Sequence, residues 1–134
     1  MSASSSENGQ LWHDLPQTPH ELPLDRGLVD ALVDRIQREI PGAVISNRNR
    51  VDVLAVRGRR RILAEIKTDG STTSIHAGVG QLMVYGLATK PSERWLILPA
   101  ESVDRGKSLL DELGITVVGY RGSGRDITVA KLPD

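Results

Sequence analysis

Val51-Asp52-Val53-Leu54-Ala55-Val56-Arg57-Gly58-Arg59-Arg60-Arg61-Ile62-Leu63-Ala64-Glu65-Ile66-Lys67-Thr68 is the stretch that decides how this chain folds. Val51 to Val56 and Arg61 to Thr68 are alternating, β-branched runs, and Arg57-Gly58-Arg59-Arg60 stands between them, which predicts a β-hairpin. With Gly58 and Arg59 as the central pair of a two-residue turn, glycine first as type II′ prefers, cross-strand partners have numbers that sum to 117. A four-residue loop gives the same register, and a three-residue loop breaks it. Asp52 then lies opposite Glu65, and Lys67, two residues beyond, shares their face. Two carboxylates with Cβ atoms about 5 Å apart repel unless a cation or a proton sits between them.

Working outward, Leu28, Val29, Leu32, Val33, Ile36 and Ile40 recur at helical spacing after Asp25, a plausible N-cap, and Pro41-Gly42 ends that helix. Ala43 to Ser46 reads as a short strand, Asp69 to Ser74 as a loop, and Ala77 to Ala88 as a second helix weakened by three glycines. Arg94 to Pro99 reads as a buried strand. Ser102 starts a helix through Leu113 with Gly114 as its stop, Ile115 to Tyr120 is a strand, and Ile127 to Leu132 adds an edge strand. The expectation is a single α/β (α+β) domain over residues 24–134, a mixed sheet flanked by helices in the order αβββαβαβ, preceded by a flexible arm over residues 1–23 rich in Ser, Pro, Asn and Gln.

Composition bounds the function. A length of 134 residues suits one core, and with no Phe and 3% aromatic content that core must be Leu, Val, Ile and Ala. The absence of cysteine excludes disulfides and thiolate zinc sites and fits a reducing cytoplasm. No stretch approaches the roughly 20 apolar residues of a membrane helix, and no signal pattern opens the chain, so a cytoplasmic protein without membrane contact is expected. The formal net charge is zero, but seven basic residues (Arg48, Arg50, Arg57, Arg59, Arg60, Arg61, Lys67) stand against two acidic ones between Asn47 and Lys67, a local clustering that suits a polyanion.

Hard oxygen ligands from one or two carboxylates, with positions left for water and phosphate, suit Mg²⁺ or Mn²⁺ in phosphoryl-transfer chemistry. Such an ion lowers the pKa of a bound water, and a lysine beside it stabilises negative charge. The reaction implied is phosphodiester hydrolysis. At this point Val51-Asp52, a hairpin and Glu65-Ile66-Lys67 resemble the PD-(D/E)XK nuclease superfamily, with its restriction-endonuclease-like fold, over roughly Leu24 to Tyr120; Val51 replaces the proline of the motif. The resemblance implies Asp52 and Glu65 as metal ligands with the backbone carbonyl of Ile66, and Lys67 as the catalytic lysine. Gln81-Leu82-Met83-Val84-Tyr85 resembles the Gln-x-x-x-Tyr motif of RecB-type members, which implies that Gln81 and Tyr85, one helical turn apart, contact the nucleic acid or the site. Glu39 falls where many members carry a first-helix glutamate that helps hold metal.

Each residue has a plainer account: Asp52 opening a strand, Glu65 and Lys67 an exposed ladder, Gln81 and Tyr85 a polar helix face, Glu39 solvated beside Arg35. The joint arrangement argues for a metal-dependent nuclease acting on DNA in a restriction, repair or defence setting. The alternatives are an inactive binding or scaffolding module, as a subunit of a larger nucleic-acid-processing complex, and a junction-resolving homodimer; the short chain also leaves room for a partner protein that supplies targeting. Gly106-Lys107-Ser108 lacks the first glycine of a phosphate-binding loop and sits in a helix, the three histidines are scattered, and Arg121 to Arg125 reads as a basic surface loop.

Overall fold

The computed structural model describes residues 26–46, 52–122 and 126–133. The N-terminal arm, the Asp25 cap, Arg48, Arg50 and most of the Arg121 to Arg125 loop lie outside them. Helix α1 (Arg26–Glu39) leads through a turn to β1 (Val44–Ser46), followed by β2 (Asp52–Arg57), β3 (Arg60–Ile66), α2 (Thr72–Thr89) and β4 (Glu93–Pro99). Then come α3 (Val103–Leu110), set between the 3-10 turns Ala100–Ser102 and Asp111–Leu113, β5 (Ile115–Arg121) and β6 (Thr128–Val129). This is the mixed sheet flanked by helices that the alternation of patterns predicts.

The six strands lie in the order β1-β2-β3-β4-β5-β6. β2 is antiparallel to both of its neighbours, β1 and β3; β3, β4 and β5 are parallel, and β6 is an antiparallel edge. The hairpin has the predicted register, Asp52 opposite Glu65 and Arg57 opposite Arg60. Gly58 has φ +59°, which no other residue type adopts without cost, while Arg59 keeps a negative φ, as a type II′ turn requires.

Side chains alternate across the sheet, so each face carries its own core. On one face, Leu28, Leu32 and Ile36 of α1 pack on Val53, Ala55, Ile62, Ala64, Ile66, Trp95 and Ile97. On the other, Ile75, Leu82 and Tyr85 of α2 and Leu110 of α3 pack on Leu63, Leu96, Leu98, Ile115 and Val117. Asp52, Glu65 and Lys67 belong by parity to this second face.

Three boundaries differ from expectation. Helix α2 begins at Thr72 and not Ala77, because Ser71 caps it by accepting the Ser74 N–H at 3.2 Å. The segment from Ser102 to Leu113 is helical but opens and closes in 3-10 turns, and the Ser102 side chain makes no capping bond. The last strand is only Thr128–Val129, a short edge in place of Ile127 to Leu132. Among the described residues, no helix is long and apolar enough to cross a membrane.

Candidate functional site

Asp52 opens β2, Glu65 sits one residue before the end of β3, and Lys67 follows that strand. The three meet at the carboxyl end of β3 on the face that α2 covers, the end of a strand around which open α/β sheets place their ligands. They are not a solvated ladder: Asp52 is 2% exposed, Glu65 0% and Lys67 6%. Among the described residues, these are the buried charged side chains. Desolvating a carboxylate or an ammonium costs several kcal/mol per ion unless charges and hydrogen bonds compensate. Lys67 brings one positive charge against two negative ones, leaving a net negative charge that a bound cation offsets and a further apolar neighbour would not.

Lys67 is fixed although it lies past the strand. Its N–H donates to the Ile97 carbonyl at 3.0 Å, and its carbonyl accepts from the Tyr120 hydroxyl at 3.4 Å. Helix α2 closes over it. A Cβ added at Gly78 would stand 3.6 Å from Lys67 Cγ and 2.6 Å from Leu96 Cδ1, so only glycine lets the helix come this near. The loop between is also held: Asp69 accepts from the Ser71 N–H at 2.8 Å and from the Ser74 hydroxyl at 3.1 Å. Those bonds, the Ser71 N–H foremost and the Ser74 hydroxyl next, hold the Asp69 carboxyl below its ordinary value of 3.8 against a small opposing effect of burial.

Helix α2 runs antiparallel to β3, for at the far end the Arg61 guanidinium donates to the Thr89 carbonyl at 2.8 Å. Gln81 lies three residues, about 4.5 Å, along the axis from Gly78. Glu65 lies two residues, about 6.6 Å, back from Lys67 along β3, so Gln81 is displaced from Gly78 in the direction of Glu65. In the right-handed crossover from β3 to β4, the side of α2 that carries Gln81, about 100° from the sheet-facing Leu82, looks toward β2 and therefore toward Asp52. Its Oε1 is buried and takes no hydrogen bond among the described residues. Tyr85, by contrast, is 2% exposed within the apolar cluster beneath α2, so its ring reaches the sheet and not an external nucleic acid.

The structure does not bring Glu39 to this group. Glu39 ends α1, pairs with Arg35, and accepts from the Leu132 N–H at 3.1 Å. The next turn reaches the other end of β2, where the Pro41 carbonyl accepts from Arg57 and Val44 pairs with Val56. The solvated account of Glu39 beside Arg35 is therefore near the mark, since both side chains are about a quarter exposed, at 25% and 26%. Among the described residues, no three or more His, Cys, Asp or Glu side chains gather as a metal site. Any ion here rests on Asp52, Glu65, a backbone carbonyl such as that of Ile66, and water or phosphate, a donor set that suits Mg²⁺.

Among the described residues the basic run does not form one patch. Arg57, Arg59, Arg60 and Arg61 stand at the turn end of the hairpin, away from Asp52. Most serve the fold: Arg57 bonds Pro41, Arg61 bonds Thr89, and Arg60 bonds Glu93 and the Pro133 carbonyl at 3.0 Å and stacks 6.0 Å from the Trp95 ring. Gly78, Tyr120 and the Asp69–Ser71–Ser74 cap escape a reading of the sequence alone; the Ser-x-x-Ser spacing at Ser71 is the one local signal. Comparison with protein-family profiles, curated proteins and solved structures finds no match to this chain.

Proposed function

We propose that the chain is a metal-dependent nuclease of the PD-(D/E)XK type that hydrolyses phosphodiester bonds of DNA. The observation that carries this is the burial of Asp52, Glu65 and Lys67, and of no other charged side chain among the described residues, on one face at the carboxyl end of β3. Asp52 and Glu65 hold Mg²⁺ or Mn²⁺, with the Ile66 carbonyl between Glu65 and Lys67 as a further donor. The bound ion supplies a Lewis acid and a water of lowered pKa. Lys67, with its backbone fixed on both sides, would orient the attacking water and stabilise the charge that develops on the phosphate. Gln81, with its Oε1 buried on the side of α2 that faces β2, is the helix residue assigned to help position the strand. A cytoplasmic location goes with this reading, because DNA is met there and the cysteine-free sequence suits a reducing compartment.

A panel of linear, circular, single-stranded and branched DNA, with RNA alongside, tests this in Mg²⁺, Mn²⁺ or EDTA. Metal-dependent cutting by the wild type that disappears in Lys67→Ala, with circular dichroism unchanged, is the expected result; equal cutting by the variant refutes the assignment.

One observation favours a second reading, a module that kept the fold without turnover. Among the described residues only two carboxylates converge, with Glu39 held at the opposite end of β2. A melting temperature indifferent to millimolar Mg²⁺ and Mn²⁺ would favour it.

A further inference from the structure

A DNA strand held at Asp52 and Glu65 draws much of its affinity from phosphate contacts, so cations are needed at the carboxyl edge of β3. The hairpin arginines do not supply them, because Arg57, Arg59, Arg60 and Arg61 stand at the other end of that strand. Arg105, in the first turn of α3, does. Helix α3 starts where β4 ends, so its amino end shares the edge at which Lys67 follows β3. Arg105 stands about 100° round α3 from Gly106, which meets Leu98 of β4. Its guanidinium turns toward β3 and donates from Nη1 to the Gly70 carbonyl at 3.2 Å.

That bond ties the arginine to the loop that carries on from Lys67. The loop also lies flush against the start of α3, for a Cβ added at Gly70 would collide with the side chain of Ser102, about one helical turn before Arg105. Gly70 follows Lys67 so closely in the chain that the guanidinium lies within roughly 15 Å of the Lys67 backbone. At roughly 3.4 Å of helix axis per phosphate in one strand, about five nucleotides or fewer cover that span.

Arg105 is exposed and forms no ion pair among the described residues. Arg35, Arg38 and Arg60, by contrast, are each neutralised by a carboxylate. The acidic side chains nearest in sequence leave its charge alone. Asp69 is bonded into the cap of α2, and Asp104 is exposed about 160° round α3 from Gly106, on the solvent side. Glu101, exposed on the turn before α3, does not pair with it. A neutral carbonyl thus fixes the side chain without cancelling its charge, and leaves most of its five N–H donors open. Holding a rotamer-rich side chain in advance lowers the entropy lost when an anion binds. The amino ends of α2 and α3 lie at the same edge and add their partial positive charge.

We propose that Arg105 binds a backbone phosphate of the substrate strand, a few nucleotides from the bond cut at Asp52 and Glu65, and so sets the strand against Lys67. The proposal takes its substrate from the nuclease reading and adds to it a contact outside the metal site.

Fluorescence anisotropy of a labelled DNA with the full chain tests this, first in EDTA and then in Ca²⁺, between about 50 and 300 mM KCl. Arg105→Ala should weaken binding about five- to eightfold at 0.1 M salt and lower the slope of log K against log salt by about 0.7–0.9, the share of one phosphate contact. Arg105→Lys keeps the charge and should restore most of that slope, while Arg59→Ala, at the far hairpin turn, should leave it unchanged. In Mg²⁺, Arg105→Ala should raise KM and spare kcat. A lowered melting temperature with an unchanged salt slope would make Arg105 only a tie for the Gly70 loop, which overturns the inference while the nuclease reading stands. Binding that depends on Arg105 in a wild type that cuts nothing in Mg²⁺ or Mn²⁺ supports the contact and overturns the nuclease reading. A wild type that binds no DNA in either condition overturns both.

Discussion

Replacing Asp52 by asparagine should reverse its effect on stability when metal is added. Asp52 and Glu65 are directly opposed on one face and almost wholly buried, at 2% and 0% exposure. Two like charges about 5 Å apart repel by about 3 kcal/mol at an effective dielectric constant near 20. Lys67 on the same face offsets part of that, leaving roughly 1–2 kcal/mol for the substitution to recover, because Asp52→Asn leaves Glu65 and Lys67 as a neutral pair. For a domain of about 100 residues this is a rise in Tm of roughly 5–10 °C in EDTA. Metal works in the opposite direction: an ion at a hundred times its Kd stabilises the wild type by about 2.7 kcal/mol, and the variant should gain little. Thermal melts of both proteins at pH 7.5, in EDTA and in 10 mM Mn²⁺, should therefore cross, the variant higher in EDTA and the wild type higher with metal. A variant that melts lower in EDTA, or gains the same Tm from Mn²⁺ as the wild type, refutes the charge argument.

Gly78→Ala should destabilise the fold by up to about 2 kcal/mol, since the cost of overpacking a filled core, about 1–3 kcal/mol, is set against a gain of about 1 kcal/mol in helix propensity. The added methyl would meet Leu96 Cδ1 at 2.6 Å; urea unfolding checks this, and unchanged stability would mean that α2 stands clear of the sheet. Asp69→Asn should alter the acid limb of the stability curve. The Asp69 carboxyl is held below 3.8 by the Ser71 N–H and the Ser74 hydroxyl, so its contribution is present above that pH and fades as pH falls through the lowered value. Denaturation of the two proteins between pH 6 and pH 2 should show a wild-type advantage that closes at the acid end; an advantage constant across the range would rule out the carboxylate as its source.

How much of this was legible depended on the range of the interaction that decides each feature. The hairpin register followed from two short-range facts, the period-two alternation and a glycine placed for a tight turn, and it brought Asp52 to Glu65 without knowledge of the rest. Lys67 followed by parity. The start of α2 is not legible because Asp69 to Ser74 is all polar or glycine, and such residues compete with the helical backbone until one of them caps it, as Ser71 does. The arginines were read as one basic cluster because a count along the chain carries no direction. The hairpin sends four of them to its turn, and three of those bond to segments far away in sequence. Glu39 has the right helix and the wrong end, a fact fixed by where the turn after α1 meets Arg57 and by nothing local.

The buried charges occupy positions that an apolar core could fill. A hairpin of Val, Leu, Ile and Ala could continue its apolar face through positions 52 and 65, and replacing a buried ion pair by well-packed apolar residues is often neutral or stabilising. Stability alone therefore does not account for an aspartate and a glutamate in register with a lysine beside them. The surroundings are arranged to keep that lysine in place: Ile97 and Tyr120 hold its backbone, and a glycine admits α2 against its side chain. An ammonium meant only to neutralise a carboxylate needs no such fixing, because a flexible lysine finds its partner unaided. A lysine that must orient one water beside a phosphate does need it, since positional error of about 1 Å costs on the order of a hundredfold in rate.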